Sequence, residues 1–130
     1  MSEDRFELCR DHFGLAVDAL SKALAQPEDE FIRDSIIKRF ELSFETARKA
    51  MHCWLADQGE LAKQDTKKTV MQAALRTGLI TDPDLWDELG VARNDTSHEY
   101  NQSKALEIVA LARDRGLPAF EALRAELARR

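Results

Sequence analysis

Residues 28–57, EDEFIRDSIIKRFELSFETARKAMHCWLAD, decide the fold of this chain. Phe31, Ile32, Ile36, Ile37, Phe40, Phe44, Ala47, Met51, Trp54 and Leu55 recur every three or four positions, the spacing of one helix face. The first turn is acidic (Glu28, Asp29, Glu30), as the helix dipole prefers, and Gly59 follows as a stop. The segment therefore reads as a long amphipathic helix over about 28–57. Its three Phe residues make it the expected spine of the core.

Outward from this helix the pattern stays helical. Phe6, Cys9, Phe13, Ala16, Val17, Leu20 and Leu24 form one stripe over about 2–25, with Ser2 as cap, Glu3 and Asp4 in the first turn, and Gln26-Pro27 as the stop. A polar connection over 60–66 leads to a short helix over about 66–77, which carries Val70, Ala73 and Ala74 inward and ends at Gly78. Asp82-Pro83-Asp84 is the clearest start signal, a cap followed by Pro at the first helical position. Leu85, Trp86 and Leu89 face inward after it, and Gly90 marks close packing or a small bend. A helix over about 103–115 ends at Gly116-Leu117-Pro118, which is expected to break or kink it. A last one over about 119–128 carries Phe120, Leu123 and Leu127. The expected fold is all-α: one domain over residues 1–130, an antiparallel up-and-down bundle of four to six helices, two long ones at the N-terminus.

Composition supports this and excludes several roles. Of 130 residues, 33% are charged and only five are Gly and three Pro, a soluble globular balance. No apolar run approaches the ~18 residues of a membrane span. The N-terminus has no apolar core of a secretory signal, so a cytoplasmic location is expected. Net charge is −5, which argues against generic binding along nucleic acid. The charge is uneven, however. Residues 1–30 carry three Lys/Arg against eight Asp/Glu, whereas residues 31–68 carry eight against six. An anionic ligand would meet a local basic surface, and Lys38, Arg39, Arg48 and Lys49 form either a solvated face or a phosphate-facing rim. Cys9 and Cys53 lack metal-ligand spacing and read as two small buried hydrophobes.

The reactive residue types gather in Arg93-Asn94-Asp95-Thr96-Ser97-His98-Glu99-Tyr100, which holds the only Tyr and one of three His. With the helix carried through Tyr100 at ~100° per residue, Trp86, Leu89, Arg93 and Tyr100 share one side. An arginine on an apolar stripe needs a carboxylate, a cleft or a second subunit, because a guanidinium cannot be neutralised. Asn94 and His98 become neighbours one turn apart, while Arg93 and His98 point away from each other. Two copies about a two-fold axis could build a cleft with two Arg and two His. There His could act as base and acid and Arg could hold a phosphate, the groups that cleavage of RNA by its own 2′-hydroxyl needs. No set of carboxylates and His implies a metal, and no cofactor is expected. A polar segment at a helix end is equally a solvated, capped terminus.

Arg93-Asn94, His98 and Tyr100 resemble the R-(N/D/H)-x-x-x-H motif of HEPN domains in its R-x4-H-x-Y form. With Asp82-Pro83-Asp84-Leu85-Trp86 upstream and Arg39-Phe40-Glu41-Leu42-Ser43-Phe44-Glu45 on the long helix, nearly the whole chain looks like the nucleotidyltransferase substrate-binding family, to which HepT toxins belong. It departs from the family pattern at Arg48, where Trp is usual, and at Gly90. The resemblance implies a homodimer, or a higher oligomer, whose motif residues meet at the dimer cleft. It implies a metal-independent endoribonuclease acting on RNA, with Arg93 and His98 catalytic and Asn94 and Ser97 supporting. It also implies an MNT-type nucleotidyltransferase antitoxin that neutralises the toxin by adding AMP to Tyr100. The alternative is a non-catalytic substrate-binding subunit of a two-component nucleotidyltransferase.

Overall fold

The computed structural model describes residues 2–61 and 66–130. Part of the polar connection expected over 60–66 lies outside them, as do the side chains of Ser2, Glu3 and Asp4 with the capping expected there. Among the described residues, six α-helices follow one another: α1 (Ser2–Leu24), α2 (Glu30–Asp57), α3 (Lys67–Arg76), α4 (Pro83–Thr96), α5 (Gln102–Leu111) and α6 (Leu117–Arg129). Among the described residues there is no strand, and no helix is long and apolar enough to cross a membrane.

Each start has a local cause. Asp29 caps α2 by accepting from the Ile32 N–H at 2.8 Å, so α2 begins at Glu30, two residues later than the sequence predicts. Thr66 and Thr69 close a reciprocal capping box on α3, and Asn101 caps α5 by accepting from the Lys104 N–H. Gly59 and Gly78 take φ of +70° and +80°, the left-handed conformation that lets the chain leave α2 and α3.

The two long helices make the most extensive contact in the bundle. They run antiparallel: the buried Ser43 hydroxyl lies 3.2 Å from Ala16 O, and Arg39 donates to Ala19 O at 2.7 Å. Arg39 is thus a structural tie between helices, not part of a basic rim. The core centres on Phe120, fully buried, whose ring lies 6.3 Å from Phe13, 6.0 Å from Phe40 and 5.8 Å from Trp86. α1, α2, α4 and α6 meet on this one side chain. Phe31 departs from expectation. It belongs to the first turn of α2, ahead of the packed stripe, and is 79% exposed.

The expected break at Gly116-Leu117-Pro118 is also absent. A π-helical turn, Ala112–Gly116, joins α5 to α6 without interruption, and the Leu117 N–H bonds to Ala112 O, five residues back. Pro118 explains the wide turn. Its ring would clash with the carbonyl four residues earlier in a regular helix, and it has no N–H to give. Gly116 is buried against the Phe40 ring, where an added Cβ would sit 3.5 Å away.

Candidate functional site

α4 carries the first half of the site. Asp82 caps it by accepting from the Leu85 N–H at 3.1 Å, Pro83 opens it, and Trp86, Leu89, Ala92 and Thr96 are buried. Gly90 faces α2, where a Cβ would meet the tip of Phe44 at 3.4 Å. That close crossing brings the residue after Phe44 beside the residue one turn beyond Gly90. Arg93 Nε lies 3.3 Å from Glu45 Oε1, and Arg48 donates to Glu45 Oε2 at 2.9 Å.

Two guanidiniums therefore share one carboxylate. The Nε atoms of Arg48 and Arg93 are buried and, among the described residues, neither N–H has a hydrogen-bond acceptor, so the Arg93–Glu45 contact is an ion pair whose Nε–H is not aimed at the oxygen. Burial works to raise the Glu45 pKa. The Arg48 hydrogen bond and the charges of Arg48, Arg93 and Lys67 outweigh it and hold Glu45 below the ordinary carboxylate range. Arg93 and Asn94 line a groove of about 620 Å³ with Arg48, Lys67, Lys68 and the apolar wall of Met71 and Trp86. The groove is cationic in a protein of net charge −5.

The second half stands apart. The sequence reading carries one helix through Tyr100, but α4 ends at Thr96, with Ser97 as its C-cap. The hydroxyls of Thr96 and Ser97 donate to Arg93 O (2.6 Å) and Asn94 O (2.7 Å), bonding carbonyls of the last turn. α4 therefore ends before His98, which the sequence reading places one helical turn beyond Asn94. His98, exposed, and Tyr100, half-buried against the core, line another depression of about 360 Å³ with Asp95, Lys104 and Glu107. Burial first, then the negative charges of Asp34 and Glu41, pushes the Tyr100 phenol above its usual pKa. One chain thus brings Arg93 to Asn94 and His98 to Tyr100, and leaves the two pairs in different depressions.

Lys67 and Lys68 are groove residues that sequence reasoning does not single out, and Glu45 enters it only within the long-helix stretch that carries the resemblance. An Arg on an apolar stripe calls for a carboxylate, a cleft or a second subunit, and only the Phe44–Gly90 crossing shows that Glu45 stands beside it. Among the described residues, no group of three or more His, Cys, Asp or Glu is placed to hold a metal ion.

The fold is an all-α helical bundle. The chain belongs to the nucleotidyltransferase substrate binding protein like family, whose model matches residues 10–129. A protein of known structure from Thermus thermophilus is 27% identical, with a TM-score of 0.71 over 89% of this chain and 95% of that one. A chain in the crystal structure of a mutant toxin–antitoxin MntA-HpeT superimposes with a TM-score of 0.77 over 98% of this chain and 99% of that one, at 16% identity. No curated protein matches the sequence.

Proposed function

We propose that this protein is a HepT-like toxin, a metal-independent endoribonuclease whose site forms between two copies of the chain and which a nucleotidyltransferase antitoxin silences at Tyr100. The observation that carries the reading is the divided motif. Arg93 has a buried Nε–H with no acceptor among the described residues at a cationic groove, while His98 stands exposed beyond the helix end. In a symmetric pair, each groove can receive what the single chain lacks.

The chemistry uses only these groups. One His98 takes the proton from a ribose 2′-hydroxyl as its oxygen bonds to phosphorus. Arg93 holds the phosphate and stabilises the charge that gathers on it. The bond from phosphorus to the 5′-oxygen breaks, and the His98 of the second copy protonates that oxygen. The products are a 2′,3′-cyclic phosphate and a free 5′-hydroxyl. Asn94 and Ser97 support the segment, a role consistent with the bond from the Ser97 hydroxyl to Asn94 O.

Silencing follows from charge. The Tyr100 oxygen attacks the α-phosphorus of ATP, pyrophosphate leaves, and the phenol proton passes to a base on the transferase. The added AMP places a negative phosphate in the depression that holds His98 and repels RNA.

The test is cleavage of labelled RNA by protein free of AMP, with His98→Ala and Arg93→Ala as folded controls. Cleavage lost in both variants supports the proposal; intact RNA with the unmodified wild type across conditions sinks it. A second reading, a non-catalytic substrate-binding subunit, draws on the separation of Arg93 from His98 within one chain. It expects a stable complex with the transferase and no cleavage by the isolated protein. Mass analysis for AMP on Tyr100, with the transferase and ATP present, tests the silencing step.

A further inference from the structure

Cys9 and Cys53 are the only cysteines of the chain, 44 positions apart, and the sequence reading treats them as separate small hydrophobes. The fold sets them against each other. Cys9 lies on α1 and Cys53 on α2, and their free thiols stand 2.7 Å apart where the two long helices pack. We propose that Cys9 and Cys53 are an oxidant-responsive dithiol, which a hydroperoxide converts to an internal disulfide fastening α1 to α2.

Three features support it. The sulfurs need approach by only a fraction of an ångström to reach the ~2.05 Å of a bond, so neither helix has to move far. The two differ in access: Cys9 is half-buried and Cys53 buried. Burial, with Cys9 alongside, also pushes the Cys53 thiol up to about 12, so Cys53 is a poor first nucleophile. Finally, the partner is already in contact, which favours closure within the chain over reaction with another molecule.

The order of events is fixed by that difference. The Cys9 sulfur attacks hydrogen peroxide; an S–O bond forms, the O–O bond breaks and one water leaves, giving a sulfenic acid. The Cys53 sulfur then attacks the Cys9 sulfur. The S–S bond forms, the S–O bond breaks, and the hydroxyl leaves as a second water with the Cys53 proton. Two thiols are oxidised and one peroxide is reduced to two waters. The product fastens α1 to the helix that carries Glu45 and Arg48.

The experiment treats the full-length protein with hydrogen peroxide, then unfolds and alkylates it without reductant. The expected result is the joint loss of both thiols, a mass lower by two hydrogen atoms and one linked peptide pair, Cys9 with Cys53. The melting temperature should rise by on the order of 10 °C and return with dithiothreitol, because the bond closes a long loop in the unfolded chain. Cys9 driven to sulfinic acid with Cys53 still alkylated, or a cross-link only between molecules, overturns the proposal. Cys53→Ser and Cys9→Ser should each lose the thermal response; a rise that persists in both also overturns it. None of these readouts depends on RNA cleavage.

Discussion

Arg93 on α4 and Arg48 on α2 contact the same carboxylate, and Glu45 sits between them with Oε1 3.3 Å from Arg93 Nε and Oε2 2.9 Å from Arg48. One anion holds two cations at the edge of a groove that also carries Lys67 and Lys68. Glu45 thus positions the arginine on which the proposed chemistry depends, and it leaves the groove with positive charge to spare.

Glu45→Gln should cost about 1–2 kcal/mol of stability, since both guanidiniums lose a partly buried partner. The sign with pH is set by the lowered pKa of Glu45. Its contribution is present above the ordinary value of 4.5 and is lost as pH falls through the folded value. Denaturant unfolding of wild type and variant should therefore converge in acid and separate near neutrality. A gap that is constant across that range contradicts this account.

Gly90→Ala should stabilise the protein by roughly 0.5–1 kcal/mol, the gain of Ala over Gly inside a helix. Its Cβ would stand 3.4 Å from the tip of Phe44, a close but bearable contact. Gly90→Leu adds a branched side chain beyond that Cβ; it should crowd Phe44 and destabilise. Thermal melts of the pair give both signs in one measurement.

Phe120→Ala should cost about 3–5 kcal/mol, at the level that threatens the fold of a domain this size. Its ring is the shared contact of Phe13, Phe40 and Trp86. Phe31→Ala, at a ring 79% exposed, should change stability by no more than about 0.5 kcal/mol. Equal losses at the two positions would contradict the packing described.

Tyr100 is the only tyrosine, so an ultraviolet titration reads it alone. Its midpoint should lie above 10, because burial, then Asp34 and Glu41, oppose the phenolate. The folded state holds its proton longer than the unfolded one. The associated stability is present below about 10 and lost as pH rises through the folded value. Tyr100→Phe should abolish AMP transfer and leave RNA cleavage in place.

His98→Ala should lower cleavage by roughly 10²–10⁴-fold, the usual worth of a positioned acid or base. Single-turnover assays on a labelled RNA would show it, with melting temperature as the control for folding.

Much of this was legible from residue types and spacing, and the reasons are local. Asp82-Pro83 marks the start of α4 because a cap and a fixed φ act within one turn. Glycines at 59 and 78 end helices because the backbone there needs positive φ. The end of α4 was not legible by the same means. Thr96, Ser97 and His98 fit the helical period, yet Thr96 and Ser97 hydroxyls satisfy the last carbonyls and the chain turns away. Arg93 announced that it needed a partner. Its identity as Glu45 depends on α4 crossing α2 at Gly90, and the pairing of Cys9 with Cys53 on α1 lying beside the same α2. Contacts of that kind are properties of packing, which periodicity does not encode.

The π-helical turn at Ala112–Gly116 settles a question of phase. Ala112 and Phe120, both buried, are eight positions apart, and on a regular helix at ~100° per residue they would point ~80° away from each other. The wide turn takes up nearly one residue, about the same angle. The apolar edge of α5 (Ala105, Ile108, Val109) and that of α6 (Phe120, Leu123, Leu127) therefore address one interior along a single unbroken rod. Without that correction, α6 would roll on its axis and carry Phe120 away from the three rings it joins.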